Sequence, residues 1–506
     1  MTPAAFSTHS FPEPGPSRPV VLCIGGSDCA GLAGIQADTR ACEAMAVHAA
    51  TAITAVTAQN NAGLYALNPV DPAVLETQLD AALALRPMAI KIGLLGSSAQ
   101  IDLLADKLRD TGIPVVLDTV LATSSDGQVL DAGARTDLLH KLAPLATVIT
   151  PNLPESGALL GREVSSAAEI EAAATTLREQ GADWVVIKGG HGHSNAAADY
   201  CQGPEHSFTL TQPRIETDNL RGTGCSFAAM IASAIALGYE VRDALVIARM
   251  GLQEAIYNSI AVSGERGRPA AQAFPRRHWP QYRSDSLPLP TGGPFPACTG
   301  GGQPQALGLY PVVDTAEWVE RLLPLGVTTI QLRNKDLGGK ALAAEVERAV
   351  VIARKYNARL FINDYWQLAI EKDAYGVHLG QEDLATADLQ AIRDAKLRLG
   401  ISNHCHYELV RALAVRPSYI AVGPVFATTT KDMPWIPHGL HGLNYWCDSL
   451  GNQPLVAIAG INGENIGDIA ATGVSGIALI TAITRASDPE AATTALIRAM
   501  SDSVNS

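Results

Sequence analysis

The sequence predicts an α/β protein in two parts, a parallel-sheet domain followed by a (β/α)8 barrel. Over residues 20–260, short β-branched runs alternate with longer Ala-rich segments. That pattern describes a parallel sheet covered by helices on both faces. After a Pro/Gly-rich interruption the alternation restarts at Gly308 and passes through eight strand–helix units. Eight such units are the count of a closed barrel. The length of 506 residues agrees, since it exceeds one ordinary domain.

Bulk properties exclude several classes of partner. The net charge of -13 argues against nucleic acid, whose phosphates need a basic surface. No apolar run reaches the ~18 residues of a membrane span, so no membrane partner is expected. Residues 1–17 are rich in Pro, Ser and Thr and lack a basic start with an apolar core, so they read as a disordered tail and not a signal peptide. The eight cysteines form no Cys-x-x-Cys pair, which suits reduced thiols in a cytoplasm.

In the first part, strands are expected at 20–24, 89–95, 115–118, 148–150 and 184–188, and helices at 35–45, 73–85, 99–110, 167–180 and 226–237. Ligands of such sheets sit beyond the carboxyl ends of the strands. Three loops there carry polar chemistry. Gly25-Gly26-Ser27-Asp28 follows the first strand. Asn152-Leu153-Pro154-Glu155 follows the strand at 148–150; a plain helix N-terminus with an early Glu explains it equally well. Arg221-Gly222-Thr223-Gly224-Cys225-Ser226 opens an apolar helix, where backbone N–H groups can hold an anion; alone, it is also a plain tight turn.

In this order, and together with Ala33-Gly34-Ile35-Gln36-Ala37-Asp38, Thr57-Ala58-Gln59-Asn60, Lys91-Ile92-Gly93 and Lys188-Gly189-Gly190, these loops resemble hydroxymethylpyrimidine/phosphomethylpyrimidine kinases of the ribokinase-like superfamily. The resemblance covers about 18–260. It implies ATP-dependent phosphorylation of a pyrimidine hydroxymethyl group and then of the monophosphate. It places Gln59 at the pyrimidine, Cys225 as the base for the hydroxyl, Gly222 and Gly224 at the transferred phosphate, and Asn152, Glu155 and Lys188 with ATP. A thiol at a helix N-terminus is expected to titrate low, as a base would need. Three departures stand out: Asp28-Cys29-Ala30-Gly31-Leu32 replaces a Pro/Ser/Gly-rich run, Thr119 replaces a proline, and Arg221 replaces a common His. The added cation either helps bind a charged substrate or stands in for a neutral contact.

Residues 264–305 hold eight prolines and two glycine runs without apolar periodicity, and read as a linker between domains at 18–263 and 306–506. Beyond it, strands are expected at 309–313, 328–332, 359–362, 376–379, 397–401, 419–425, 455–459 and 476–480. Each is followed by an amphipathic segment: 316–323, 342–356, 365–373, 385–395, 407–415, 440–450, 463–471 and 489–500. Barrels place catalysis at the carboxyl ends of their strands. Polar residues gather there: Gln331, Arg333 and Lys335, then Asn363 and Asp364, Gln381 to Asp383, Ser402 to His404, Thr428 to Lys431, Gly460 and Thr481. Asp364 and Asp383 should emerge at one edge, where two carboxylates suit Mg2+ with substrate phosphates; the plain alternative is a pair of solvated loop acids.

Gln331-Leu332-Arg333-Asn334-Lys335, Phe361 to Asp364, Gly376 to Asp383 and Gly423 to Lys431 resemble thiamine phosphate synthases across about 308–500. The TIM-barrel resemblance implies that hydroxymethylpyrimidine diphosphate loses diphosphate and a thiazole phosphate nitrogen attacks the methylene. Asp364 and Asp383 would carry Mg2+; Arg333, Lys335, Ser402 and Lys431 would support the diphosphate. Gln331 and Asn363 would orient the pyrimidine, and Thr428, Thr430, Gly460, Ile480 and Thr481 would hold the thiazole phosphate. Ile458-Ala459-Gly460-Ile461, Ile480-Thr481 and Asn403 depart from the family pattern. His378 is expected to satisfy a local hydrogen bond in the wall. The halves thus name consecutive steps of thiamine biosynthesis acting on small molecules, with a homodimer through the first domain as a further expectation. Rival readings keep the barrel but make the first half a pyridoxal or vitamer kinase, or a non-catalytic pyrimidine-binding regulator; a structural scaffold for other enzymes is a third.

Overall fold

A computed structural model describes residues 17–121, 130–190, 195–298, 306–428 and 435–505. The chain divides into two compact units between Ser284 and Asp285. No helix among the described residues is long and apolar enough to cross a membrane.

The first unit is built on β1 (Val20–Asp28), β2 (His48–Gln59), β3 (Leu64–Pro69), β4 (Ala89–Ile92), β5 (Val115–Leu117), β6 (Val148–Ile149), β7 (Trp184–Ile187), β8 (Ala196–Gln202) and β9 (Ser207–Pro213), with β10 (Ile260–Val262), β11 (Glu265–Arg268) and β12 (Gln281–Arg283) later in the chain. Ten of these form one sheet in the order β12-β9-β8-β7-β6-β5-β4-β1-β2-β3. The six strands from β7 to β2 run parallel. The outer strands β3, β8, β9 and β12 pair antiparallel, so the sheet is mixed at both edges, where the alternation had predicted parallel strands only. The edge strands and β2 are rich in Ala, Thr and polar residues, which is why no apolar run announces them.

Leu22, Ile24, Ile90, Ile92, Leu117, Ile149 and Val185 fill the core on these strands. The helix Thr223–Ala236 is apolar nearly all round and is accordingly buried on most of its surface. The helices Leu153–Leu160 and Ala167–Glu179 start with capping boxes, Asn152 with Glu155 and Ser166 with Glu169.

The stretch read as a linker is structured on both sides of the unit boundary. β10 pairs with β11, and β12 extends the first unit's sheet, with buried Tyr282 stacked on Phe208 at 5.6 Å. Phe295 and Cys298 are buried in the second unit, where Ser418 Oγ donates to the Pro296 carbonyl at 2.7 Å. Proline runs without periodicity conceal such segments, because single anchoring side chains leave no repeating pattern.

The second unit closes as a barrel in the expected order: β13 (Gly308–Val313), β14 (Thr329–Leu332), β15 (Arg359–Asn363), β16 (Gly376–Leu379), β17 (Arg398–Asn403), β18 (Tyr419–Val422), β19 (Leu455–Ile458) and β20 (Gly476–Leu479). Every neighbouring pair is parallel, and β20 returns to β13. Inside, the rings of Tyr310, Phe361 and Tyr419 meet at 5.2–5.9 Å. Gly400 makes room for one of them: a Cβ there would lie 2.2 Å from Tyr419 Cζ.

Candidate active sites

In the first unit a cleft opens at the carboxyl end of β1, lined by Gly26, Gly34, Gln59, Lys91, Val120 and Cys225 among others. Two turns frame it. Asp28, nearly buried, accepts from the N–H groups of Ala30, Leu32 and Ala33 and so holds the loop into the helix Gly34–Ala44. Gly222 sits at φ 78°, and a Cβ there would lie 2.3 Å from the Leu32 carbonyl, so only glycine lets the second turn close onto the first.

Lys91 and Asp38 form an ion pair at 3.0 Å in the cleft floor, both with 1% or less exposure. Burial raises the Asp38 carboxyl to about 6 despite the lysine, while Asp38 holds Lys91 charged against burial. Gly93 leaves space for this, since a Cβ there would fall 2.6 Å from Lys91 Nζ. Cys225 keeps partial access to the cleft, but the surrounding protein raises its thiol to about 11; Lys91 opposes this, and the Gly34 N–H adds a lesser opposition. The low-titrating thiol expected at a helix N-terminus is therefore corrected: loss of water outweighs the pull of Lys91 and of the Gly34 N–H.

A second pair adjoins, with Asp118 buried and Lys188 partly so. Lys188 Nζ contacts Asp118 Oδ1 at 2.9 Å, and Thr150 Oγ1 donates to the same oxygen. A Cβ on Gly224 would stand 3.4 Å from Lys188 Nζ, so this lysine borders the turn. Glu155 accepts from the Asn152 N–H and from Thr119 Oγ1, and burial raises it to about 6 against the pull of Lys188. The plain helix-cap reading of Asn152 and Glu155 thus describes their hydrogen bonds, and the cap also sets Glu155 beside Lys188.

At the barrel mouth, Lys335 Nζ contacts Asp364 Oδ2 at 2.5 Å. Asp364 has a φ of 63°, uncommon outside glycine, and its N–H is held by the His378 carbonyl. The Asp383 carboxyl lies within hydrogen-bonding reach of Asp364 and is raised by partial burial, then by the charge of Asp364; the Gly380 N–H opposes at 3.2 Å. The two acids therefore stand within electrostatic reach of each other past the ends of neighbouring strands.

Below them runs a buried polar chain that the sequence reading missed. Gln331 Nε2 donates to Tyr310 Oη (3.3 Å), Tyr310 Oη meets Tyr419 Oη (2.8 Å), Tyr419 Oη meets His378 Nδ1 (2.8 Å), and His378 Nε2 meets Ser402 Oγ (2.9 Å). Each hydroxyl can donate or accept, so the tautomer of His378 sets the direction in which the chain runs. Burial lowers His378 to about 4, with Arg333 and His404 adding to it and Asp364 opposing, so the ring is neutral and one of its nitrogens accepts while the other donates. Tyrosines in otherwise apolar strands were the available signal, because a buried phenol needs a partner.

Asn363 ends β15, buried. Gly460, at φ 70°, packs against Phe426 and Ala427 and so lies beside the segment leading to Thr428. Ile480 and Thr481 directly follow β20. Thr430 and Lys431 lie outside the described residues. Among the described residues no three His, Cys, Asp or Glu side chains are grouped to hold a metal. An acid pair is still the donor set by which Mg2+ is usually shared between protein, phosphate and water.

Comparison with known proteins gives the family of each half. Residues 309–483 match the thiamine monophosphate synthase family. Thiamine-phosphate synthase of Proteus mirabilis is 58% identical over 191 residues, which cover 38% of this chain and 89% of that protein. The second half belongs to the thiamine-phosphate synthase family. Its Serratia proteamaculans relative is 53% identical over 205 residues, 40% of this chain and 94% of that one. Residues 28–269 match the phosphomethylpyrimidine kinase family, so a kinase half precedes the synthase half in one bifunctional enzyme. A phosphomethylpyrimidine kinase structure from Clostridium difficile is similar at 30% identity and TM-score 0.43, covering 47% of this chain and all of that one. A Staphylococcus aureus pyridoxal kinase structure with ADP shows 29% identity and TM-score 0.49, over 53% and 98%.

Proposed function

We propose that the two halves carry out consecutive steps of thiamine biosynthesis in the cytoplasm. In the first, Cys225 takes the proton of the pyrimidine hydroxymethyl group while the freed oxygen attacks the terminal phosphorus of ATP and ADP departs. The monophosphate is then phosphorylated in turn. Gln59 reads the ring from the cleft wall. Gly222 and Gly224 let the transferred phosphate approach the helix end. Lys188, with Asn152 and Glu155 behind it, meets the ATP phosphates.

In the second half, the bond between the pyrimidine methylene and the diphosphate breaks, and its electron pair leaves with the diphosphate. The thiazole nitrogen lone pair then forms the new carbon–nitrogen bond. Asp364 and Asp383 would hold Mg2+, which when bound offsets the charge growing on the leaving group. Arg333, Lys335, Ser402 and Lys431 add donors to the same oxygens. Gln331 and Asn363 orient the pyrimidine, while Thr428, Thr430, Gly460, Ile480 and Thr481 receive the thiazole phosphate.

The observation that carries the barrel assignment is the meeting of Asp364 and Asp383 beside Lys335 at the mouth. The test is incubation of the whole chain with hydroxymethylpyrimidine, ATP, Mg2+ and thiazole phosphate. Thiamine phosphate and ADP should both accumulate. Absence of ADP release would remove the kinase step, and absence of coupling from supplied diphosphate would remove the synthase step.

A further inference from the structure

Arg221 is one of this chain's departures from the kinase pattern, and its geometry is specific. One terminal nitrogen donates to Gln59 Oε1 at 3.1 Å, and the other donates to the Asn60 carbonyl at 2.5 Å. Arg221 and Gln59 are 9% and 8% exposed. The remaining guanidinium nitrogen, Nε, is shut off from solvent without a partner. Both terminal nitrogens are therefore engaged inside the protein, which favours the reading of this cation as a replacement for a neutral contact.

A carboxamide ordinarily leaves open which end is oxygen, but here the partner decides. Guanidinium has only donors, so Gln59 must turn its oxygen to Arg221. Its Nε2 is then the end left for the cleft that Gln59 lines, and among the described residues it has no partner. The backbone on either side is held as well, because Cys29 Sγ lies 3.4 Å from both the N–H and the carbonyl of Gln59. A histidine at 221 can donate or accept, and would not fix the amide in this way.

We infer that Arg221 is a specificity-determining positioning residue: it locks Gln59 so that the cleft presents an N–H donor, and so selects a ring with an acceptor nitrogen facing that wall. This rests on the reading that the cleft takes the pyrimidine, so binding and turnover are measured separately.

Calorimetry on the full chain should compare hydroxymethylpyrimidine with two analogues, each having one ring nitrogen replaced by C–H. Wild type should bind one analogue about tenfold more weakly, the scale of one lost hydrogen bond. Arg221→Met should weaken hydroxymethylpyrimidine to a similar degree and cut that discrimination below about threefold, with saturated phosphorylation changed much less. Gln59→Glu supplies an independent variant in case Arg221→Met does not fold. Its carboxylate keeps the Arg221 partner but turns an acceptor to the ring, so hydroxymethylpyrimidine binding should fall at least about thirtyfold. Unchanged discrimination in Arg221→Met, or wild-type affinity in Gln59→Glu, overturns the inference. Discriminating binding without any ADP release would instead sink the kinase reading and leave the inference standing.

Discussion

Burial works against Cys225 as a base, and Lys91 is its largest counterweight. With the thiol near 11, the thiolate fraction grows about tenfold per pH unit across the neutral range. Phosphorylation limited by proton removal should therefore rise between pH 7 and 9, and Lys91→Met should push the thiol higher and lower the rate at any pH in that window. Cys225→Ala should lose about 10^2-fold or more in ADP release, the scale of a missing base. A flat pH profile with near-normal turnover in that variant would take Cys225 out of the mechanism. For the acid pair the expectation concerns turnover. Arg333 and Lys335 remain to hold the ground-state diphosphate, so Asp364→Asn and Asp383→Asn should each lower coupling kcat by about 10–10^3-fold and raise KM less. Coupling is to be followed across a Mg2+ titration with the kinase step as internal control. Wild-type kcat and Mg2+ dependence in either variant would show that acid to be a solvated loop residue.

At the level of elements, the buried chain from Gln331 to Ser402 joins four strands, β13, β14, β16 and β18, to β17. Tyr419→Phe removes one hydroxyl but leaves two groups, Tyr310 Oη and His378 Nδ1, without their partner. That should cost about 1–3 kcal/mol of barrel stability. It should also raise KM for the pyrimidine diphosphate, because Gln331 and Ser402 lose their fixed orientation; urea unfolding and coupling kinetics measure the two effects, and normal values in both would make the chain incidental. Elements of this kind mark the boundary of what residues alone convey. All eight barrel strands were legible because parallel buried strands read as apolar runs. β2, β3, β8 and β9 were not, because alanine, threonine and polar residues there give no strand signal in isolation. Asp364 and Asp383 could be placed together by strand order, whereas the contact of Arg221 with Gln59 spans 162 positions and follows no period.

For the whole molecule, the unit boundary and the titrating groups combine into one experiment. A fragment beginning at Asp285 keeps Phe295, Cys298 and the Pro296 carbonyl bond, so it should fold and outlast one beginning at Gln303, which loses a buried phenylalanine worth about 1.5–3 kcal/mol. Its pH response should then oppose that of the 17–284 fragment. In the barrel, burial lowers His378 to about 4, His406 to about 3 and His438 to about 4. The unfolded chain binds protons at these rings near 6.5, so their contribution is complete above that pH and is lost as pH falls below it. Each costs up to about 1.4 kcal/mol by pH 5.5; the raised Asp383 offsets a little of this. In the first unit the sign reverses. Asp38 and Glu155, raised to about 6 by burial, hold protons in the folded state that the unfolded chain releases, so stability rises as pH falls toward 5. Asp118 acts the other way, because Lys188 and Lys91 outweigh its burial, but its loss begins nearer pH 4. Melting both fragments at pH 7.5 and 5.5 should lower the barrel's Tm by several degrees and leave that of the kinase fragment level or higher. A parallel fall in both would mean that the buried histidines and carboxyls do not control acid stability here.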